Sequence, residues 1–262
     1  MRRRGYSVGF VVVGLAGALA AGSAWAGGWI VTVGGRVAAY PPYEGAGHDV
    51  FVPSPKLSIR RADSPDRFEP PDGGSSLALI DNRYIVAGPL LRFRLSRGDT
   101  GKLTGLDKVG WAAEPGAFVE LWPTNWLRGR VEARRGVFGY QGWVGDGALD
   151  LVRTGKVWSA SIGPRIGYGD GSYFGTYFGV TPVEAARSPF IDTVYEPGGG
   201  RRYTGVEVAL ARHFGKRWDA TFDVGYHRLA KAAAISPIVE VAGSPNDLSA
   251  GVSLTYSFAL FK

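Results

Sequence analysis

The sequence predicts an all-β chain: an antiparallel up-and-down transmembrane β-barrel of about 10–12 strands, made after a signal peptide is removed. Three observations predict it. The chain opens with an export signal, Arg2-Arg3-Arg4 followed by an apolar run over 8–21 and the small-x-small site Ala24-Trp25-Ala26. Strand after strand alternates with period two, broad apolar residues on one face and Gly, Ser, Thr or charge on the other. The chain then nearly ends on the cleanest such strand, with Leu248, Ala250, Val252, Leu254, Tyr256 and Phe258 opposite Ser249, Gly251, Ser253, Thr255 and Ser257.

These features divide the chain into a signal peptide, 1–26, and a barrel, 27–262. The apolar run of the signal is too short to span a bilayer. Beyond it no stretch of about 18 apolar residues occurs, so a membrane can be crossed only by strands closed into a barrel, which leaves no sheet edge in lipid. There is no Cys, which excludes disulfides, thiolate metal sites and Cys catalysis. The 40 glycines and the Trp and Tyr content fit many turns and interfacial aromatic belts. The net charge of +7 includes the three signal arginines. A mildly basic exported chain meets lipopolysaccharide, anionic lipid and wall polymers rather than nucleic acid.

In chain order, 29–40 reads as a first strand, broken by Pro41-Pro42. A short strand is expected over 55–61, a loop over 62–76, and a brief strand over 77–80. Strands follow at 84–95, 109–122 and 126–135, the last two joined by a tight turn at Pro123-Thr124-Asn125. A loop over 137–147 leads to a weak strand at 148–153. Residues 157–168 alternate well, and Gly169-Asp170-Gly171 turns them back into an aromatic, Gly-rich segment, 173–180. The stretch 181–202 is irregular, with one helical turn at 183–186. A hairpin of 206–214 and 218–227 turns at Gly215-Lys216. Residues 230–246 are loop before the closing strand.

A soluble barrel would point its apolar faces inward and fill its surface with the charge. Here the apolar faces are too broad and aromatic for that, so the sheet is read inside out, apolar band to lipid and charge to lumen. Trp126, Trp158, Trp218, Tyr168 and Tyr226 sit near strand ends, where interfacial girdles belong. The inner faces then carry Arg92, Arg94, Glu114, Arg128, Arg130, Glu132, Arg134 and Arg165. Glu207, Asp219, Asp223 and His227 share an inner face further on. That second set is expected to pair with the arginines in a packed interior; the rival readings are an anion-preferring pore lining and an acid–base site on Asp223 and His227.

Motifs for other chemistry are missing. Neither His-Glu-x-x-His nor Gly-x-Ser-x-Gly occurs, and the Gly-rich stretches have no phosphate-loop Lys-Ser/Thr. The expectation is a non-enzyme without metal or cofactor, and nothing demands more than a monomer.

The closing strand resembles that of bacterial outer-membrane barrels, and the spacing of Gly251, Leu254, Tyr256 and Phe258 resembles the C-terminal signal read by barrel-assembly machinery. Tyr40-Pro41-Pro42-Tyr43-Glu44-Gly45, Pro55, Tyr177-Phe178-Gly179-Val180-Thr181, Ser236-Pro237-Ile238-Val239 and Tyr256-Ser257-Phe258, in this order, resemble the MipA/OmpV family. The order and spacing carry that resemblance over the whole chain after residue 26. Ala259-Leu260-Phe261-Lys262 departs from it by extending past the usual terminal Phe. The resemblance implies the outer membrane of a Gram-negative bacterium. It also implies a scaffold for peptidoglycan-remodelling enzymes, joining a murein hydrolase to a peptidoglycan synthase, or alternatively a narrow pore for small solutes or antibiotics.

Overall fold

The computed structural model describes residues 28–65, 67–68, 70–71 and 74–260. The expected signal peptide, 1–26, and Phe261 lie outside them. The strands are β1 (Trp29–Tyr40), β2 (Val50–Arg61), β3 (Ser75–Leu77), β4 (Ile80–Asp81), β5 (Ile85–Arg94), β6 (Ala112–Thr124) and β7 (Leu127–Arg135). They continue with β8 (Val137–Phe138), β9 (Trp143–Arg153), β10 (Trp158–Gly169), β11 (Gly200–Phe214), β12 (Trp218–Leu229) and β13 (Asn246–Leu260). Among the described residues four short α-helices lie between strands: α1 (Gly171–Phe178), α2 (Pro182–Arg187), α3 (Lys231–Ala234) and α4 (Pro237–Ala242).

The strands close into an 11-strand barrel. β1 pairs antiparallel with β13, from Trp29↔Leu260 to Ala39↔Ala250, and that seam joins the two ends of the sheet. Gly34 sits on it because a Cβ there would collide with the Leu254 carbonyl. One contact departs from the up-and-down pattern. The three-residue β3 wedges between β2 and β5, parallel to the first at Ser58↔Ser76 and Ile59↔Leu77 and antiparallel to the second. The β6–β7 hairpin shifts register between Leu121 and Thr124, and β10–β11 between Gly167 and Tyr168. At the β11–β12 turn Gly215 adopts φ +72°, a left-handed conformation suited to Gly.

The apolar faces point out, as the inside-out reading expects. Val119, Val131, Leu149, Leu151, Ile162, Val208, Leu210, Phe222 and Val252 are all exposed on the barrel wall. Trp126, Trp158 and Trp218 ring the end with the short turns, and Tyr168 and Tyr226 ring the other, all exposed. Val131, at the middle of β7, is 66% exposed. Val131→Arg is therefore expected to lower unfolding free energy in phospholipid vesicles by about 2–4 kcal/mol, read by urea titration, because it puts a charge at the bilayer midplane.

Several element boundaries differ from the sequence reading. β2 starts at Val50 rather than at 55, and β11 at Gly200 rather than at 206. The weak strand at 148–153 is the end of an 11-residue β9. The segment 173–180 does not return as a strand but forms α1, capped by the Asp170 side chain on the Tyr173 amide. Its aromatics favour strands in isolation, but here they fill a buried cluster that a helix packs better. The expected helical turn at 183–186 lies inside α2.

Candidate functional site

Connections alternate between two ends of the barrel. Both ends of the described chain and the connections 62–84, 125–126, 154–157 and 215–217 lie at one, here the turn end. The connections 41–49, 95–111, 136–142, 170–199 and 230–245 lie at the other, the loop end.

All five loop-end connections fold over the lumen and share one apolar core. Tyr43, Leu106, Tyr140, Ile191 and Val239 come one from each, around the fully buried Tyr173, Phe174, Tyr177 and Phe178 of α1. The loops are also tied to one another by polar contacts. Arg97 donates to the Tyr177 carbonyl at 2.8 Å, Ser236 to that of Phe178 at 2.7 Å, and Tyr195 to that of Ala232 at 2.8 Å. α2 carries a capping box between Thr181 and Glu184. Glu184 also accepts from the Asp107 amide at 2.9 Å, which joins 95–111 to 170–199. Burial raises the Glu184 carboxyl, but the Asp107 and Thr181 amides and the Thr181 hydroxyl outweigh it and hold the pKa below the usual carboxylate range.

Beneath this cap a ladder of ion pairs covers one wall. The inner face of β7 supplies Arg128, Arg130, Glu132 and Arg134 at every second position. Starting at the turn end, Arg165 meets Asp150 at 2.8 Å, and Arg128 joins Asp150 at 2.6 Å to Glu120 at 2.8 Å. Arg130 bridges Glu120 and Glu132, the latter at 2.6 Å. Glu132 also takes both nitrogens of Arg92, at 2.9 and 3.0 Å, and pairs with Arg134. Arg134 reaches Glu114 at 3.1 Å and also Asp146. At the loop end Arg94 pairs with Glu114 at 2.7 Å and Glu44 at 3.4 Å. Arg202 clamps Glu44 to Asp146, and the Tyr173 and Tyr203 hydroxyls donate to those same two acids. Glu114, Glu120, Glu132 and Asp150 are almost fully shielded from solvent, so this part of the array stands only because its charges are answered.

In the second predicted set, Asp223 and Asp219 have partners outside the predicted arginines. Asp223 pairs with Arg36 of β1, and Asp219 with His213 at 2.5 Å. Glu207, buried, faces Gly225 in register. The His227 ring stacks on Tyr203, centroids 4.5 Å apart. The ladder's acids also include Glu120, which parity along β6 puts on one face with Glu114, and Glu44, Asp146 and Asp150, which the sequence reading did not single out. Parity along β9 would have found the last two. Gly251, Leu254, Tyr256 and Phe258 lie along β13, Gly251 buried on the inner face and Leu254 exposed on the outer.

The rest of the lumen is a cavity of about 1310 Å³. It reaches the turn end past Lys156, Lys216, Arg217 and Ser257, and is stopped at the other end by Tyr43 and Glu44. No cluster of metal-ligating residues occurs among the described residues.

The family of MltA-interacting protein MipA matches residues 33–258, nearly the whole barrel. The chain belongs to the MipA family. No curated protein matches. Solved structures similar to this MipA-family barrel include an outer membrane channel from Pseudomonas putida F1, at 12% identity, TM-score 0.40, covering 88% of this chain and 96% of that one. The NanC porin gives 8% identity, TM-score 0.40, and coverage of 87% and 98%. The outer membrane protease OmpT from Escherichia coli gives 10%, 0.33, and 88% and 97%.

Proposed function

We propose that this MipA-family chain is exported by residues 1–26, assembled into the outer membrane of a Gram-negative cell through its closing strand, and works there as a monomeric scaffold for peptidoglycan-remodelling enzymes, with no catalytic part in their reactions. The observation that carries this is the sealed loop end. In barrels of the outer membrane the short turns face the periplasm and the long loops face outward. On that orientation the cap closes the lumen to the outside, and the cavity and both chain ends face the murein side. The name of the family supports a murein-enzyme partner. The test is affinity capture of purified murein hydrolases and peptidoglycan synthases on the immobilised barrel. Retention of a lytic transglycosylase is expected; passage of every such enzyme would overturn the scaffold.

A second reading, a narrow pore for small solutes or antibiotics, has its own supporting observation. Among the described residues β2 pairs on its outer side only through Ser58 and Ile59. Pro53 and Pro55 carry no N–H to pair. Inward and outward residues of β2, such as Ser54 and Pro55, both line the cavity there. A slit of that kind gives the capped lumen a second exit. Current through the intact barrel in a planar bilayer would favour this reading.

A further inference from the structure

Near the turn end one side-chain relay stands apart from the ladder and from the cap. Ser159 lies on the inner face of β10, His213 on that of β11, and Asp219 on that of β12. Ser159 Oγ is 2.7 Å from His213 Nε2, and His213 Nδ1 is 2.5 Å from Asp219 Oδ1. The barrel register builds this arrangement. The tight turn at Gly215 makes His213 and Asp219 direct partners across the hairpin, and Ser159 faces Ala211, two residues before His213.

We propose that Ser159, His213 and Asp219 are the nucleophile, general base and orienting carboxylate of a site that hydrolyses short-chain carboxylic esters, an activity additional to the scaffold role and independent of it. The hydrogen-bond order is the one that nucleophilic acyl transfer requires: carboxylate to Nδ1–H, Nε2 to hydroxyl. Asp219 as acceptor fixes the tautomer that leaves Nε2 free to take the serine proton. All three line the cavity, and the His213 and Asp219 side chains are 21% and 35% exposed. The Gly155 amide donates to Ser159 Oγ at 3.2 Å, which leaves the hydroxyl hydrogen for His213 Nε2.

The step balances with water as the only co-reactant. Ser159 Oγ bonds to the ester carbonyl carbon as its proton passes to His213 Nε2. The tetrahedral oxyanion collapses, the carbon–alkoxide bond breaks, and His213 returns the proton to the leaving alcohol. Water, deprotonated by His213, then attacks the acyl-serine, releases the carboxylic acid and restores the hydroxyl.

The surroundings set the substrate class. Ser159 is 1% exposed and flanked by the buried Ala211, so only a small acyl group reaches its oxygen. On the far side of Asp219 stand the hydroxyls of Thr255, its partner in register, and Thr221. The alcohol half of the ester is therefore polar and hydrated.

The test is a fluorophosphonate probe and p-nitrophenyl acetate applied to the intact barrel in detergent, with folding followed by heat-modifiable gel migration. Labelling mapped to Ser159 is expected. Asp219→Asn is expected to keep the fold and lose about 10²–10⁴ in turnover of the acetate, as removing the orienting carboxylate does in such relays. A folded wild type that takes no label, or takes it at another residue, would overturn the proposal. So would acetate hydrolysis equal to that of folded Ser159→Ala. The relay would then be a polar tie between strands, and the scaffold reading would stand unchanged.

Discussion

Glu132→Leu is expected to destabilise the barrel by about 3–5 kcal/mol, the cost of leaving buried cations without their acceptor. Glu132 is the most shared carboxylate of the wall, pairing with Arg92, Arg130 and Arg134. Its side chain is 2% exposed, so water cannot replace it. Arg130 retains Glu120, and Arg134 retains Glu114 and Asp146. Arg92 loses its two-pronged contact with Glu132. The double variant Arg92→Leu/Glu132→Leu should recover part of the loss, because the guanidinium that lost its two-pronged acceptor is then gone as well. Urea unfolding in detergent, followed by gel migration, measures each variant. A cost for Glu132→Leu below about 1 kcal/mol would mean that the ladder is wet and screened like a surface network.

The ladder also shows which parts of this molecule a sequence discloses. Strand parity is local, so the inner residues of β7 were legible from Leu127 to Arg135 alone. Which acid meets which arginine was not, because pairing across β5, β6, β7 and β9 depends on relative register. Arg36 is an example: it meets Asp223 only because β1 closes against β13, which lies beside β12. Hairpin turns are the exception, since a two-residue turn fixes register over a short span. The turn at Gly215-Lys216 still left neighbouring registers open, and only the three-residue connection 215–217 puts His213 opposite Asp219. The cap was the least legible part. Its loops have no period of their own, and Tyr173-Phe174 and Tyr177-Phe178 suit a strand as well as a helix. What selects the helix is the burial of those four rings against loops distant in the chain.

That burial makes the cap a separable part of the fold, and its removal should have the largest functional effect. Gly169 and Gly200 are partners in register at the ends of β10 and β11. A loop of about four residues can therefore replace 170–199 and close an ordinary hairpin. The replacement removes α1 and α2, and with them the four aromatic side chains at the centre of the apolar core. Each such ring is worth about 3–5 kcal/mol in a packed site, so the remaining loops have too little buried surface to stay closed over the lumen. The barrel itself should persist, since its strand ladders and ion pairs lie below the cut. The expected result in planar bilayers is a silent parent and a variant with discrete openings, both migrating as folded barrels on the gel. Openings in the variant would identify the cap as the seal and the space beside the ladder as the passage behind it. Silence from a folded variant would place the block in the wall, where the guanidinium groups of β7 and the inward-folded Phe68 fill the section.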